Sequence, residues 1–452
     1  MIGSSFAGLP VALRAAEAGW SVLVVEAGAP PGAGDAGISA SFEFRNAGEL
    51  AYPLPAARLI ALGGASNHWT GTVNRLRPED LALRSLYGAD VDWPLDYAEL
   101  ARFYCAAEQW LSVEGFAPVA GAEPARDCAY PRVRSGSYRA PDLAIEGRDP
   151  RYFPLARSRR GEGPLRLVDA ELPRFAALPE AALLQRHPVR RLVSLDGRRI
   201  DHALAVGPDG SERELRAGLF LLAAGVVESA RLLLLSTSAA HPRGLGNAGD
   251  QVGRHLCWHP TERWGFRPES MERPQRGAPT RGESRSDAWL DDFRRRGLSG
   301  AHLQLRIERR EVVMKAQPEI EPRPENRVRL ARDARDARGD PVPELVLALS
   351  ERDRRTRAAA RALLAEQARA LGLDPARAER SEKFRYHPSG TLRMARDEQG
   401  GAVDSGLRVF GCENLYACGA SVFPTAGTAN PTLSIVALAL RLAEQLLARG
   451  RG

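Results

Sequence analysis

Lysine is almost absent from this chain. Lys315 and Lys383 are the only two in 452 residues, so the net charge of +7 rests on arginine. GC-rich coding produces that pattern as readily as selection for nucleic acid. The arginines also alternate with acids, as in Arg332-Asp333-Ala334-Arg335-Asp336. That reads as solvated faces rather than one basic stripe, and no nucleic-acid partner is expected. Long apolar runs are missing too. The longest, Leu219 to Val227, ends at Glu228, far short of the roughly 20 residues of a membrane span. None of the five cysteines (105, 128, 257, 412 and 418) forms a Cys-x-x-Cys, and the eight histidines show no metal-ligand spacing. No metal is expected. An odd, scattered cysteine set suits a reducing compartment, and the first residues read as core rather than as a leader. A cytoplasmic protein is the expectation.

What is present is ordinary for a globular protein, with 44% hydrophobic and 26% charged residues over a length that suits two or three domains. Residues 1 to 28 read as turn, helix and strand. Val22-Leu23-Val24-Val25 is a continuous apolar run, as in a strand buried on both faces of a parallel sheet. Val189 to Val193 and Ala203 to Val206, with the turn Pro208-Asp209-Gly210, suggest a small meander. Leu219 to Ala224 is a second buried strand followed by a helix from Glu228 to Leu235. Leu303, Leu305 and Ile307 alternate with polar neighbours. Ser350-x-x-Asp353 predicts a capped helix to about Leu371. A strand over Leu415 to Cys418 and a helix from about Thr432 to Leu447 close the chain. Residues 117 to 165, rich in Pro and Arg, read as an insertion or lid, and 262 to 298 as polar and irregular.

Gly3-Ser4-Ser5-Phe6-Ala7-Gly8 opens the first helix, with Ser5 standing where a dinucleotide turn of the form G-x-G-x-x-G has its second glycine. Such a turn lets backbone N–H groups approach a pyrophosphate. Glu26, ending the next strand, is placed to bind ribose hydroxyls. Only Met1 and Ile2 precede Gly3, where a central strand is due, so the natural start is expected upstream.

Three further blocks carry chemistry. They are Gly63-Gly64-Ala65-Ser66-Asn67-His68-Trp69-Thr70-Gly71, Tyr386-His387-Pro388-Ser389-Gly390-Thr391-Leu392-Arg393-Met394, and Val422 to Leu433 with Asn430-Pro431-Thr432-Leu433. With Gly225 to Leu233 and Gly249 to Leu256, they resemble, in order, segments of the glucose-methanol-choline (GMC) oxidoreductases. The last block and His-Trp-Thr look nearest to pyranose oxidases and sugar dehydrogenases.

The resemblance implies an α/β fold. A Rossmann-like FAD-binding domain is built from discontinuous segments (1–80, 181–260 and 381–452). An α+β substrate domain with an antiparallel sheet and a lid takes 81–180 and 261–380. FAD is the implied cofactor, bound by Gly3, Ser5, Gly8, Glu26, Gly64, Ser66, Asn67, His68, Val189, Gly419, Ala420, Thr432 and Leu433. His68 aligns with a position that bonds flavin covalently in some relatives; the alternative is a histidine that hydrogen-bonds or packs nearby. His255 and His259 read as structural.

Oxidising an alcohol requires removing the hydroxyl proton and sending a hydride to the flavin. His387 is the implied base and Asn430 the donor to the same oxygen. The expected activity is oxidation of a CH–OH group in a sugar, polyol or similar alcohol, with oxygen, a quinone or a redox protein as acceptor. The same fold includes hydroxynitrile lyases, which keep the histidine, and a non-catalytic flavoprotein is a further alternative.

Overall fold

The computed structural model describes residues 1–33, 42–115, 126–133, 154–158, 163–267, 284–308 and 311–450. A parallel sheet is assembled from the start, middle and end of this sequence. Val22–Val25 pairs with Ala181–Leu184, and Phe220–Leu222 pairs with Leu415–Ala417. Residues 1 to 3 join the two halves. Ile2 bridges Val25 on one side and Leu222 on the other, both in parallel. The central place in the sheet is thus held by a two-residue stub, and the Met1 ammonium is buried against the Leu23 carbonyl at 2.8 Å. Burial lowers that amine to about 5.

The chain leaves the stub through Gly3, whose φ is +102°. A Cβ there would lie 2.4 Å from the Ala223 carbonyl oxygen, so only glycine fits. The helix Leu9–Glu17 follows, burying Leu9, Ala12, Leu13 and Ala16 along one stripe. The closing helix Thr432–Arg449 packs beside it, with Leu433, Val436, Leu438 and Leu442 wholly inside. Each such side chain contributes about 1.5–3 kcal/mol of burial. The meander forms from Val189–Val193, His202–Val206 and Glu212–Arg216.

A five-stranded antiparallel sheet runs in the order Ser284–Trp289, Ala301–Glu308, Glu311–Pro318, Cys257–Phe266, Glu379–Ser389. Leu303, Leu305, Met314, Trp264 and Phe266 pack on Ala360, Leu364 and Ala368 of the helix Glu351–Ala370. Ser350 and Asp353 form the expected capping box. The polar stretch 262–298 is corrected: it contains strand to Phe266, strand again over Ser284–Trp289 and the short helix Asp291–Arg295. Charged residues hid the first of these strands. Glu262 is satisfied by Arg357 and Arg361 of the covering helix rather than by water. No helix among the described residues is long and apolar enough to cross a membrane. Most of residues 117–165, read as an insertion or lid, lie outside the described residues.

Two of the five cysteines are joined. Cys105 on the helix Tyr97–Trp110 is bonded to Cys128, and Cys257, Cys412 and Cys418 are free and buried. Each disulfide sulfur lies 3.4 Å from Nη2 of Arg75, which also binds Glu108. Closing a loop of 23 residues contributes about 3 kcal/mol on the chain-entropy account. Alkylating the denatured protein straight from lysed cells is expected to label three cysteines, rising to five after reduction. Five labels before reduction would place the chain in a reducing compartment, as the cysteine spacing alone suggests.

Candidate active site

Ser4 ties the glycine turn together. Its N–H and its hydroxyl donate to the Glu26 carboxylate at 3.1 and 2.6 Å, and its Oγ accepts from the Gly63 N–H at 2.9 Å. Glu26 also accepts from the Gly28 N–H at 2.8 Å. Burial raises the Glu26 pKa, and these donors oppose the rise. One side chain thus fixes the first turn, the strand-end acid and the second glycine block. Sequence reasoning missed Ser4, because a serine beside a glycine carries no local signal of a partner 59 residues away.

These elements wall a cavity of about 870 Å³, within the range of ligand pockets, roughly 300–1,000 Å³. Among the residues implicated by sequence, Gly3, Ser5, Glu26, Gly64, His68, Val189, Gly419, Ala420 and Thr432 line it. So do His387 and Asn430. Gly8, Ser66, Asn67 and Leu433 stand behind the wall. A Cβ on Gly8 would meet the Gly3 carbonyl oxygen at 2.6 Å, so its role is to let the helix sit on the turn. Ser66 accepts from the Leu167 N–H at 3.4 Å. The Asn67 amide donates to Leu62 and Gly64 carbonyls at 2.8 and 3.0 Å. Leu433 is core.

A dinucleotide suits this wall. Small side chains meet where Ser5 replaces glycine, since a Cβ on Gly64 would be 3.1 Å from the Ser5 Cβ. Gly225 lines the cavity with φ +79°, and a Cβ there would project into open space.

His387 enters the same wall from the strand Glu379–Ser389 with φ +57°. A left-handed residue directly before proline is uncommon, and such strain costs about 1–3 kcal/mol. The neighbouring strand shifts register on both sides of His259, which brings the two imidazoles together, Nδ1 to Nδ1, at 2.9 Å. The Nε2 of His259 lies 2.6 Å from the Gly427 carbonyl oxygen.

A carbonyl only accepts, so His259 Nε2 carries a proton. Burial lowers His259 to about 4, although the Gly427 carbonyl opposes the shift, so the ring is neutral near pH 7 and its Nδ1 is an acceptor. The shared bond must then be donated by His387 Nδ1. Burial, followed by the charges of His259 and His302, lowers His387 well below the ordinary histidine value. Its Nε2 is left as a lone-pair acceptor. His259, read from sequence as structural, is instead the group that sets the tautomer of His387. The available signal was that both histidines precede proline on strand-like segments.

The loop bearing Asn430 is anchored by buried charge. Thr428 donates to Asp80 at 3.0 Å, and Arg294 Nη2 binds Asp80 at 2.5 Å and Glu319 at 3.1 Å. Gly427, one residue earlier, holds His259. The loop therefore couples the histidine pair to the asparagine.

These features define an α/β fold with a dinucleotide-sized cavity and a buried, neutral histidine on its wall. The sequence profile described as GMC oxidoreductase matches residues 322–439. The chain is 27% identical over 448 residues to the fructose dehydrogenase large subunit of Gluconobacter japonicus, covering 85% of this chain and 80% of that protein. It is 28% identical over 443 residues to paromamine 6'-oxidase of Streptomyces fradiae, covering 85% and 77%. Two solved structures share the fold. Pyridoxine 4-oxidase from Mesorbium loti has a TM-score of 0.64 at 19% identity, covering 100% of this chain and 99% of that one. A fungal aryl-alcohol oxidase has a TM-score of 0.67 at 17% identity, covering 99% and 98%. The GMC oxidoreductase profile thus falls on the C-terminal part of the chain, and the likeness to these relatives and to the solved folds extends over most of its length.

Proposed function

We propose that this chain oxidises a CH–OH group of a sugar, polyol or similar hydroxyl compound, with FAD as its cofactor. The observation that carries the reading is the proton order of the histidine pair, which puts the proton of His387 on Nδ1 and makes Nε2 the lone-pair nitrogen of a residue lining a dinucleotide-sized cavity. FAD, when bound, takes up the hydride that leaves the carbinol carbon. His387 Nε2 takes the hydroxyl proton, and the Asn430 amide donates to the oxygen as charge develops there. Gly3, Ser5, Glu26, Gly64, His68, Val189, Gly419, Ala420 and Thr432 hold the dinucleotide, braced by Gly8, Ser66, Asn67 and Leu433. The helix starting at Thr432 brings its positive end to the cavity, which favours negative charge there.

The relatives named above are a dehydrogenase and an oxidase, and both act on hydroxyl-bearing compounds by name, which supports oxidation over lyase chemistry. The test is anaerobic mixing of the flavin-loaded protein with a panel of sugars, polyols and simple alcohols. At least one is expected to bleach the flavin absorbance. No bleaching across the panel would sink the proposal and leave a lyase or a non-catalytic flavoprotein. Peroxide formed under air then marks an oxidase, and its absence a dehydrogenase.

A further inference from the structure

The charged run Arg332 to Asp336 reads from sequence as solvated, yet the segment that continues it to Asp340 reaches the cavity. It forms the turn between strands Arg327–Arg335 and Pro341–Val346, and Asp336, Arg338 and Asp340 are wall residues. Asp336 and Asp340 are buried, at 8% and 5% exposure. Asp336 folds the turn by accepting from the N–H groups of Arg338 and Asp340 at 2.9 and 3.0 Å.

The tip is tied on both sides to the nucleotide domain. Asp336 binds Arg231 of the helix Gly225–Leu235 at 2.6 Å. Asp340 binds Arg190 and Arg191 at 2.6 and 2.9 Å, and Arg190 also donates to the Arg338 carbonyl at 3.0 Å. Arg190 follows Val189, so the tip sits beside the strand that the family resemblance places against adenine.

Four arginines line this cavity. Arg58 is paired with Glu228, Arg231 with Glu228 and Asp336, and Arg190 with Asp340. Arg338 differs. Its guanidinium makes no hydrogen bond or ion pair to the described residues, and the residue lines the cavity. A guanidinium without an acceptor at a cavity wall is a group that a bound ligand can satisfy. Building a turn from two buried carboxylates only to hold such a group at a ligand wall makes little sense for stability alone.

We propose that the hairpin tip closes the adenosine part of the FAD site, and that the Arg338 guanidinium donates to an acceptor on the adenine ring or its ribose. This rests on the assignment of FAD above. Arg190, Arg231, Asp336 and Asp340 are then positioning residues for Arg338.

The test titrates flavin-free protein with FAD, ADP and FMN in turn, in wild type and Arg338→Met. The protein comes from riboflavin-starved cells, or from a His68→Ala background if the flavin proves covalent. Arg338→Met is expected to weaken FAD and ADP by the same factor, about ten- to a hundredfold for one lost bond to a charged donor, and to leave FMN unchanged. Unchanged FAD and ADP affinity would overturn the proposal, as would an equal loss for FMN. Arg338→Gln, which keeps a donor at shorter reach, is read the same way if the methionine variant folds poorly. Wild-type protein that binds no FAD would instead bring down the cofactor assignment itself, so the two failures are distinguishable.

Discussion

Replacing His387 with alanine is expected to leave FAD bound and to slow alcohol oxidation by about 10²–10⁴-fold, the usual contribution of a positioned base. The measurement is the rate of flavin bleaching under anaerobic conditions, with bound flavin counted from the absorbance of the same sample. Turnover within a factor of a few of wild type would remove His387 from the mechanism. The pH profile gives an independent reading. The His387 pKa lies well below its ordinary value of 6.5, chiefly because the ring is desolvated. A base is lost on protonation, so activity should persist as pH falls through 6.5 and fail only at lower pH. An acid limb centred at the ordinary histidine value would contradict the burial argument. His259→Phe removes the acceptor for the Nδ1 proton of His387, with an expected loss of about 10–100-fold. His259→Asn keeps a carbonyl acceptor at that place and should recover much of the loss. A merely structural His259 would show no such split between the two variants.

Arg294→Met is the substitution expected to cost most stability. It would leave Asp80, wholly buried, and Glu319, nearly so, without the cation they share. Removing one partner of a buried ionic group costs about 3–5 kcal/mol, a large part of a net stability of roughly 5–15 kcal/mol. The sign of the pH dependence follows from Glu319, whose pKa is raised by burial despite Arg294. Without the arginine it rises further. A carboxyl with a raised folded pKa binds protons in the folded state that the unfolded chain does not, so stability is lost as pH rises and regained as it falls. Urea unfolding should therefore show a larger deficit at about pH 7.5 than at about pH 5.5. A deficit that is small, or that grows toward acid, would mean that the three groups do not act as a buried ionic unit. Because Asp80 also holds Thr428, the variant should lose turnover through displacement of the Gly427–Asn430 loop even where it stays folded.

Much of this protein was determined locally. The glycine turn, the apolar strand Val22–Val25, the Ser350–Asp353 cap and the blocks around His387 and Asn430 each depend on neighbours within a few residues. Such features are legible because backbone geometry and side-chain periodicity are short-range constraints. They sufficed for the fold class, the family resemblance and many of the residues that line one shared cavity. What they could not give were contacts whose two halves lie far apart in the chain. The pairing of His259 with His387 spans 128 residues, that of Arg190 with Asp340 spans 150, and that of Thr428 with Asp80 spans 348. Asp336 and Glu262 read as surface because a charge is normally solvated. They are inside because arginines brought in by other segments satisfy them. The tautomer of the candidate base, the bond between two cysteines and the arginine left unpaired at the cavity wall were all decided by packing. Hydrogen bonding and desolvation act between groups that are near in space, and only the folded chain makes these groups near.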